Sequence, residues 1–158
     1  MRRRRRQRCR RCSFLVGEFQ SSHGVYNRIV SQTEAIKYWI ESAMEDWDVA
    51  VKLLADKKYH HALFFAQLTV EKLLKAFHIK NKNDSPLYVH NLVLLAQKAE
   101  LELTDRQKEE LKEISTFNIT ARYDSYKRDF YNKATPEYAQ KWFELTDNFR
   151  QLLLEKAK

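Results

Sequence analysis

Arg122, Tyr123, Tyr126, Lys127 and Arg128 fall within one stretch, NITARYDSYKRDFY, residues 118–131. These residue types suit a ligand that carries both a phosphate and a base. Arginine grips phosphate through a bidentate fork, and tyrosine stacks on a base. The same residues suit a plain connection between helices, in which Arg122 pairs with Asp124 and the rings cover the edge of a core. A second set of chemistry-bearing residues is His60, His61, His78 and His90. No two of them have the three- or four-residue spacing that places metal ligands on one helix face, so no metal site is expected. His60 and His61, being adjacent, are expected to point in different directions as partly buried polar groups. His90 is expected to cap or pack against a short helix. Cys9 and Cys12 form a CxxC pair, but no second pair exists to close a zinc site and no βαβ pattern surrounds it. Paired carboxylates such as Glu109 and Glu110 read as solvated helix surface.

The elements that must hold these residues begin after residue 30. The 158-residue chain has a formal charge of +8, which by itself suggests nucleic acid or an anionic surface. Residues 1–30 hold nine Arg and one acid, Glu18, and account for all of that charge. The remaining 128 residues are balanced, with 20 basic and 20 acidic side chains. Both Gly and both Cys also lie in the first 30 residues. The expected organisation is therefore a disordered Arg-rich tail, 1–30, and one domain, 31–158. Val30 immediately precedes SQTE, as an internal GUG start would be translated, so residues 1–29 are expected to be leader. The tail can also be read as a nucleic-acid arm, since clustered Arg displaces counterions from phosphate. The FLV patch is too short for a signal peptide and no 18-residue apolar run exists, so no membrane span is expected. A core without Cys fits the cytoplasm.

From residue 31 the pattern is helical throughout. Ser31-Gln32-Thr33-Glu34 is a capping box, and Ile36, Trp39, Ile40, Ala43, Trp47, Ala50, Val51 and Leu54 form an apolar stripe reaching about Asp56. Tyr59 to Lys80 is more apolar and is expected to be the central, most buried helix, with Glu71 and Lys75 paired across one turn. Pro86 ends helix at Ser85, and a short helix is expected from Asn91 to Glu100. Thr104-Asp105-Arg106-Gln107 opens a fourth helix to about Thr120. Thr135-Pro136-Glu137 opens the last. The expected fold is an all-α antiparallel bundle of about five helices. A core without glycine excludes P-loops, dinucleotide folds and the serine hydrolase elbow, and no cofactor is expected.

Three stretches together resemble the HEPN family, named for nucleotide binding in higher eukaryotes and prokaryotes. They are YHHALFFAQLTVEKLLKAFHIK, PLYVHNLVLLA and ITARYDSYKRDFYNKATPEYAQK, and the likeness spans residues 33–156. In ribonuclease members of that family an Arg is followed after four to six residues by a His, in a dimer that encloses an RNA cleft. Arg122 matches the Arg. The positions where the His would stand hold Lys127, Arg128 and Asp129, and no His follows His90. The group that would move protons or orient the 2′-hydroxyl is therefore missing. The resemblance implies a non-catalytic nucleotide- or partner-binding subunit, a homodimer, and a companion resembling the small nucleotidyltransferase of toxin–antitoxin-like pairs. The alternative it implies is a metal-independent ribonuclease toxin using Arg122, with Lys127 or Tyr126 in place of the His.

Overall fold

The computed structural model describes residues 31–122 and 130–157, with only the backbone of 119–122. It contains α1 (Gln32–Ala55), α2 (Tyr59–Lys82), α3 (Leu92–Lys98), α4 (Asp105–Arg122) and α5 (Pro136–Ala157), with a further helical turn at 130–133. No strand occurs among the described residues. The expected Arg-rich tail lies outside them.

The starts of α1, α4 and α5 are set by side chains written in the sequence, whereas α2 begins without a side-chain cap. Ser31 Oγ accepts from the Glu34 amide at 3.2 Å, while the Glu34 carboxylate accepts from the Ser31 amide at 3.0 Å. Thr104 and Gln107 repeat this exchange before α4. Thr135 Oγ1 accepts from the Tyr138 amide at 3.2 Å, and Pro136 takes the first helical position of α5. Each cap satisfies a backbone donor that the helix itself leaves unpaired. Replacing Ser31 with alanine is expected to cost about 1 kcal/mol, read as a lower urea midpoint with an unchanged slope.

Helix ends are made without glycine. Lys57, Asn83 and Glu100 adopt positive φ, at 58°, 51° and 56°. After α1, the Lys58 amide donates to Leu53 O at 2.8 Å and the Lys57 amide to Leu54 O at 3.0 Å. These two bonds are the Schellman closure that usually calls for glycine. α2 and α4 each run two residues beyond the ends expected from sequence, to Lys82 and Arg122, whereas α3 is shorter than expected.

Consecutive long helices run antiparallel. Gln32 at the start of α1 donates to Ile79 O near the end of α2. α2 and α5 run in the same direction, since Trp47 stacks on Phe143 at 4.5 Å beside Ala66, and Lys80 Nζ donates to Lys156 O. α2 packs against α1, α3, α4 and α5, as expected of the central helix, and Ala62, Leu63, Ala66, Val70, Leu73, Leu74 and Ala76 on it are fully buried. A satellite cluster of Trp47, Ala50, Ala66 and Phe143 joins α1, α2 and α5. No helix among the described residues is long and apolar enough to cross a membrane.

Candidate nucleotide-binding site

Arg122 is the last residue of α4. Tyr123, Tyr126, Lys127 and Arg128, and with them the expected Arg122–Asp124 pairing, lie outside the described residues. The frame on either side of them is well defined. Phe117, fully buried on α4, meets Phe130 at 5.4 Å between ring centres. It also contacts Tyr138 and Trp142 of α5 edge-on, at 6.4 and 6.1 Å. One turn earlier on α4, Glu113 accepts from the Tyr138 hydroxyl at 2.6 Å and from Lys133 Nζ at 2.5 Å. Burial disfavours ionisation of Glu113, but the Lys133 and Tyr138 hydrogen bonds outweigh it and hold the carboxyl below its usual range. Burial and the Glu113 carboxylate push the Tyr138 phenol far above its usual range. Tyr138 thus donates to Glu113 and ties α5 to α4.

Tyr131 follows Phe130 but turns outward, with 63% of its surface exposed. Its ring meets the edge of His60, at the start of α2, at 5.0 Å. The two histidines do not point apart as their adjacency implied: the His60 and His61 rings lie 3.9 Å from one another. In the first turn of a helix there is no preceding turn to restrict their rotamers, so both rings can fold toward one side. Partial burial, then the neighbouring His61 and Lys58, lower the His60 pKa and favour the neutral imidazole. His60 and Tyr131 are 71 positions apart, and no local pattern announces their meeting.

A second polar cluster lies inside the bundle. His60, Gln67, Glu71, Lys75, His78 and Lys82 recur at three, four or seven residues and share one stripe of α2. Glu71 is only 4% exposed, yet it accepts from Lys75 Nζ at 2.9 Å, from Gln67 Nε2 at 3.0 Å and contacts His90 Nδ1 at 2.9 Å. Lys75 Nζ also sits over the Trp39 ring of α1, 5.1 Å from its centre. Burial opposes the Glu71 charge, but the bond and charge of Lys75, then Gln67 and His90, prevail and lower its pKa. The expected Glu71–Lys75 pair therefore forms, but as a buried pair. His90 neither caps nor simply packs against α3, because Asn91 Oδ1 supplies that cap and the His90 ring reaches back to α2. Gln67 Oε1 and both ring nitrogens of the buried His78 have no hydrogen-bond partner among the described residues.

No cluster of metal-ligating side chains is found among the described residues. A groove of about 390 Å³ opens between the start of α4 and the second half of α5, floored by Leu145, Phe149 and Leu152 and edged by an Arg106–Glu110 pair. From Arg106 to Arg122 is sixteen residues of helix, about 24 Å at 1.5 Å per residue, so this groove lies at the opposite end of α4 from Arg122.

A family model described as the HEPN domain matches residues 36–157. Among solved structures, TT1696 from Thermus thermophilus is similar, with a TM-score of 0.65 and 21% identity over 77% of this chain and 97% of that one. This likeness concerns the fold. No curated protein matches the sequence.

Proposed function

The chain belongs to the HEPN domain family, and on that premise we propose that it is a non-catalytic subunit that binds a nucleotide or single-stranded RNA through the segment following α4. Arg122 grips phosphate there, Tyr123 and Tyr126 offer stacking faces, and Lys127 and Arg128 add positive charge. The observation that carries the reading is the sequence after Arg122, where Lys127, Arg128 and Asp129 occupy the places of the motif histidine. A lysine near neutral pH is a poor proton acceptor unless it is buried. The frame around Phe117, Phe130 and Glu113 supports the reading, because it ties both flanks of the segment to the bundle. The balanced charge of residues 31–158 suits a protein partner as well. A small nucleotidyltransferase is the companion we propose, with the bundle acting as a cytoplasmic homodimer.

The runner-up is a metal-independent ribonuclease that uses Arg122, and one observation favours it. His60 places a largely neutral imidazole against Tyr131, at the far end of the same segment, where a proton acceptor would be needed. The two readings separate when the protein and its Arg122→Ala variant are incubated with labelled total RNA without metal. The binding reading expects an intact RNA pool in both samples and affinity for RNA roughly tenfold weaker in the variant, the scale of one lost charge-assisted phosphate contact. Cleavage by the unaltered chain that disappears in the variant would establish the ribonuclease instead.

A further inference from the structure

The exposed rings beside the start of α2 have no evident structural task. Phe130 is buried and completes the contact with Phe117, whereas the next residue, Tyr131, is mostly exposed and touches the bundle through His60. His61, against His60, is exposed as well. Three rings from two distant parts of the chain thus form one continuous surface that faces water. Lys57 and Lys58 immediately precede α2 and are exposed, and among the described residues neither has a carboxylate partner. Among the described residues the exposed lysines at 52, 80, 98, 141 and 156 also lack a carboxylate partner, whereas those at 37, 82, 108, 112 and 133 have one, so what sets Lys57 and Lys58 apart is the rings beside them. The Schellman closure of α1 fixes the backbone of both unpaired lysines at the edge of the rings.

Aromatic faces without a core to fill, next to cations without counter-charges, combine the two terms by which unpaired nucleotides are held: stacking of the base and neutralisation of the phosphate. We infer that the binding site continues onto the start of α2, where a nucleobase stacks on Tyr131 and the His60–His61 pair while Lys57 and Lys58 face its phosphate. The inference rests on the binding reading above and deepens it. Phosphate contacts alone would bind any polyanion, whereas the rings select a base that is free to leave its stack.

The test uses the full chain and a short single-stranded RNA carrying a fluorescent adenine analogue that is quenched on stacking. Residues 1–30 are the same in every variant, so differences between variants report the surface. Quenching is expected on binding. Tyr131→Leu should abolish the quenching and weaken binding about tenfold, the order expected for one lost stacking partner, while Tyr131→Phe should preserve both. Replacing Lys57 and Lys58 together with alanine should reduce the slope of log affinity against log salt by about one. Displacement of the RNA by AMP would assign the surface to a free nucleotide, and failure of AMP to compete would assign it to a polynucleotide. If Arg122→Ala abolishes binding but Tyr131→Leu leaves affinity and quenching unchanged, the inference is overturned and the binding reading stands. If the unaltered chain does not bind RNA or AMP, both fall.

Discussion

Glu71→Ala is expected to destabilise the bundle by about 3–5 kcal/mol. The side chain is almost wholly buried and gathers bonds from Lys75, Gln67 and His90. Removing it leaves a buried ammonium over Trp39 with its opposite charge gone, and an unpaired interior charge costs more than the pair itself contributes. The asymmetry gives a second expectation. Replacing Glu71 with leucine and Lys75 with methionine together should recover most of the loss, because two apolar side chains of similar size need no desolvated partner. Urea unfolding of the single and double variants reads both effects, provided the slope is unchanged. The direction with pH follows from the depressed pKa of Glu71. Its contribution is complete above the pKa of the unfolded carboxyl, about 4.3, and is lost as pH falls through the lower folded value. The difference between the unaltered chain and Glu71→Ala should therefore narrow in acid. A single variant that costs less than about 1 kcal/mol, the range of an exposed pair, would mean that water reaches the network.

Phe117→Ala is expected to cost about 3–5 kcal/mol, the range for deleting a fully buried phenyl ring. Phe117 is the point at which Phe130, Tyr138 and Trp142 meet, so its loss opens a cavity between α4 and α5 and frees the flank carrying Tyr131. Stability and ligand binding should then fall together. Lys112→Ala, on the exposed side of the same helix, is the control and should change stability by less than about 0.5 kcal/mol. If binding survives the loss of Phe117 at full strength in folded protein, the site does not depend on this frame.

The outline of the bundle could be read from local chemistry. Ser31, Thr104 and Thr135 announce helix starts because a cap is made within four residues, and those caps form as expected. The apolar run of α2 identified the central helix because only a helix surrounded on several sides can be so uniformly apolar. Helix ends were less legible, since Lys57 and Glu100 stop their helices in a conformation usually given to glycine. The helical turn at 130–133 had no signal, as its place depends on Phe117. The charged pair Glu71–Lys75 was visible as a spacing, but its burial was not. That depends on the connection after α2 returning far enough for His90 to reach Glu71. The meeting of His60 with Tyr131 is likewise tertiary. The residues first singled out, Arg122 to Arg128, were conspicuous by composition alone, and composition does not orient a side chain.

α2 is the shared wall of α1, α3, α4 and α5, and this shapes how the molecule can come apart. α1, α3, α4 and α5 each lean on the same 24 residues, so none can keep its apolar face covered once α2 is lost. Repeat proteins can fray from one end because each unit leans only on its neighbours, but a hub arrangement has no such end. Opening the molecule is then a single cooperative event, and exchange of the α2 amides with solvent must await it.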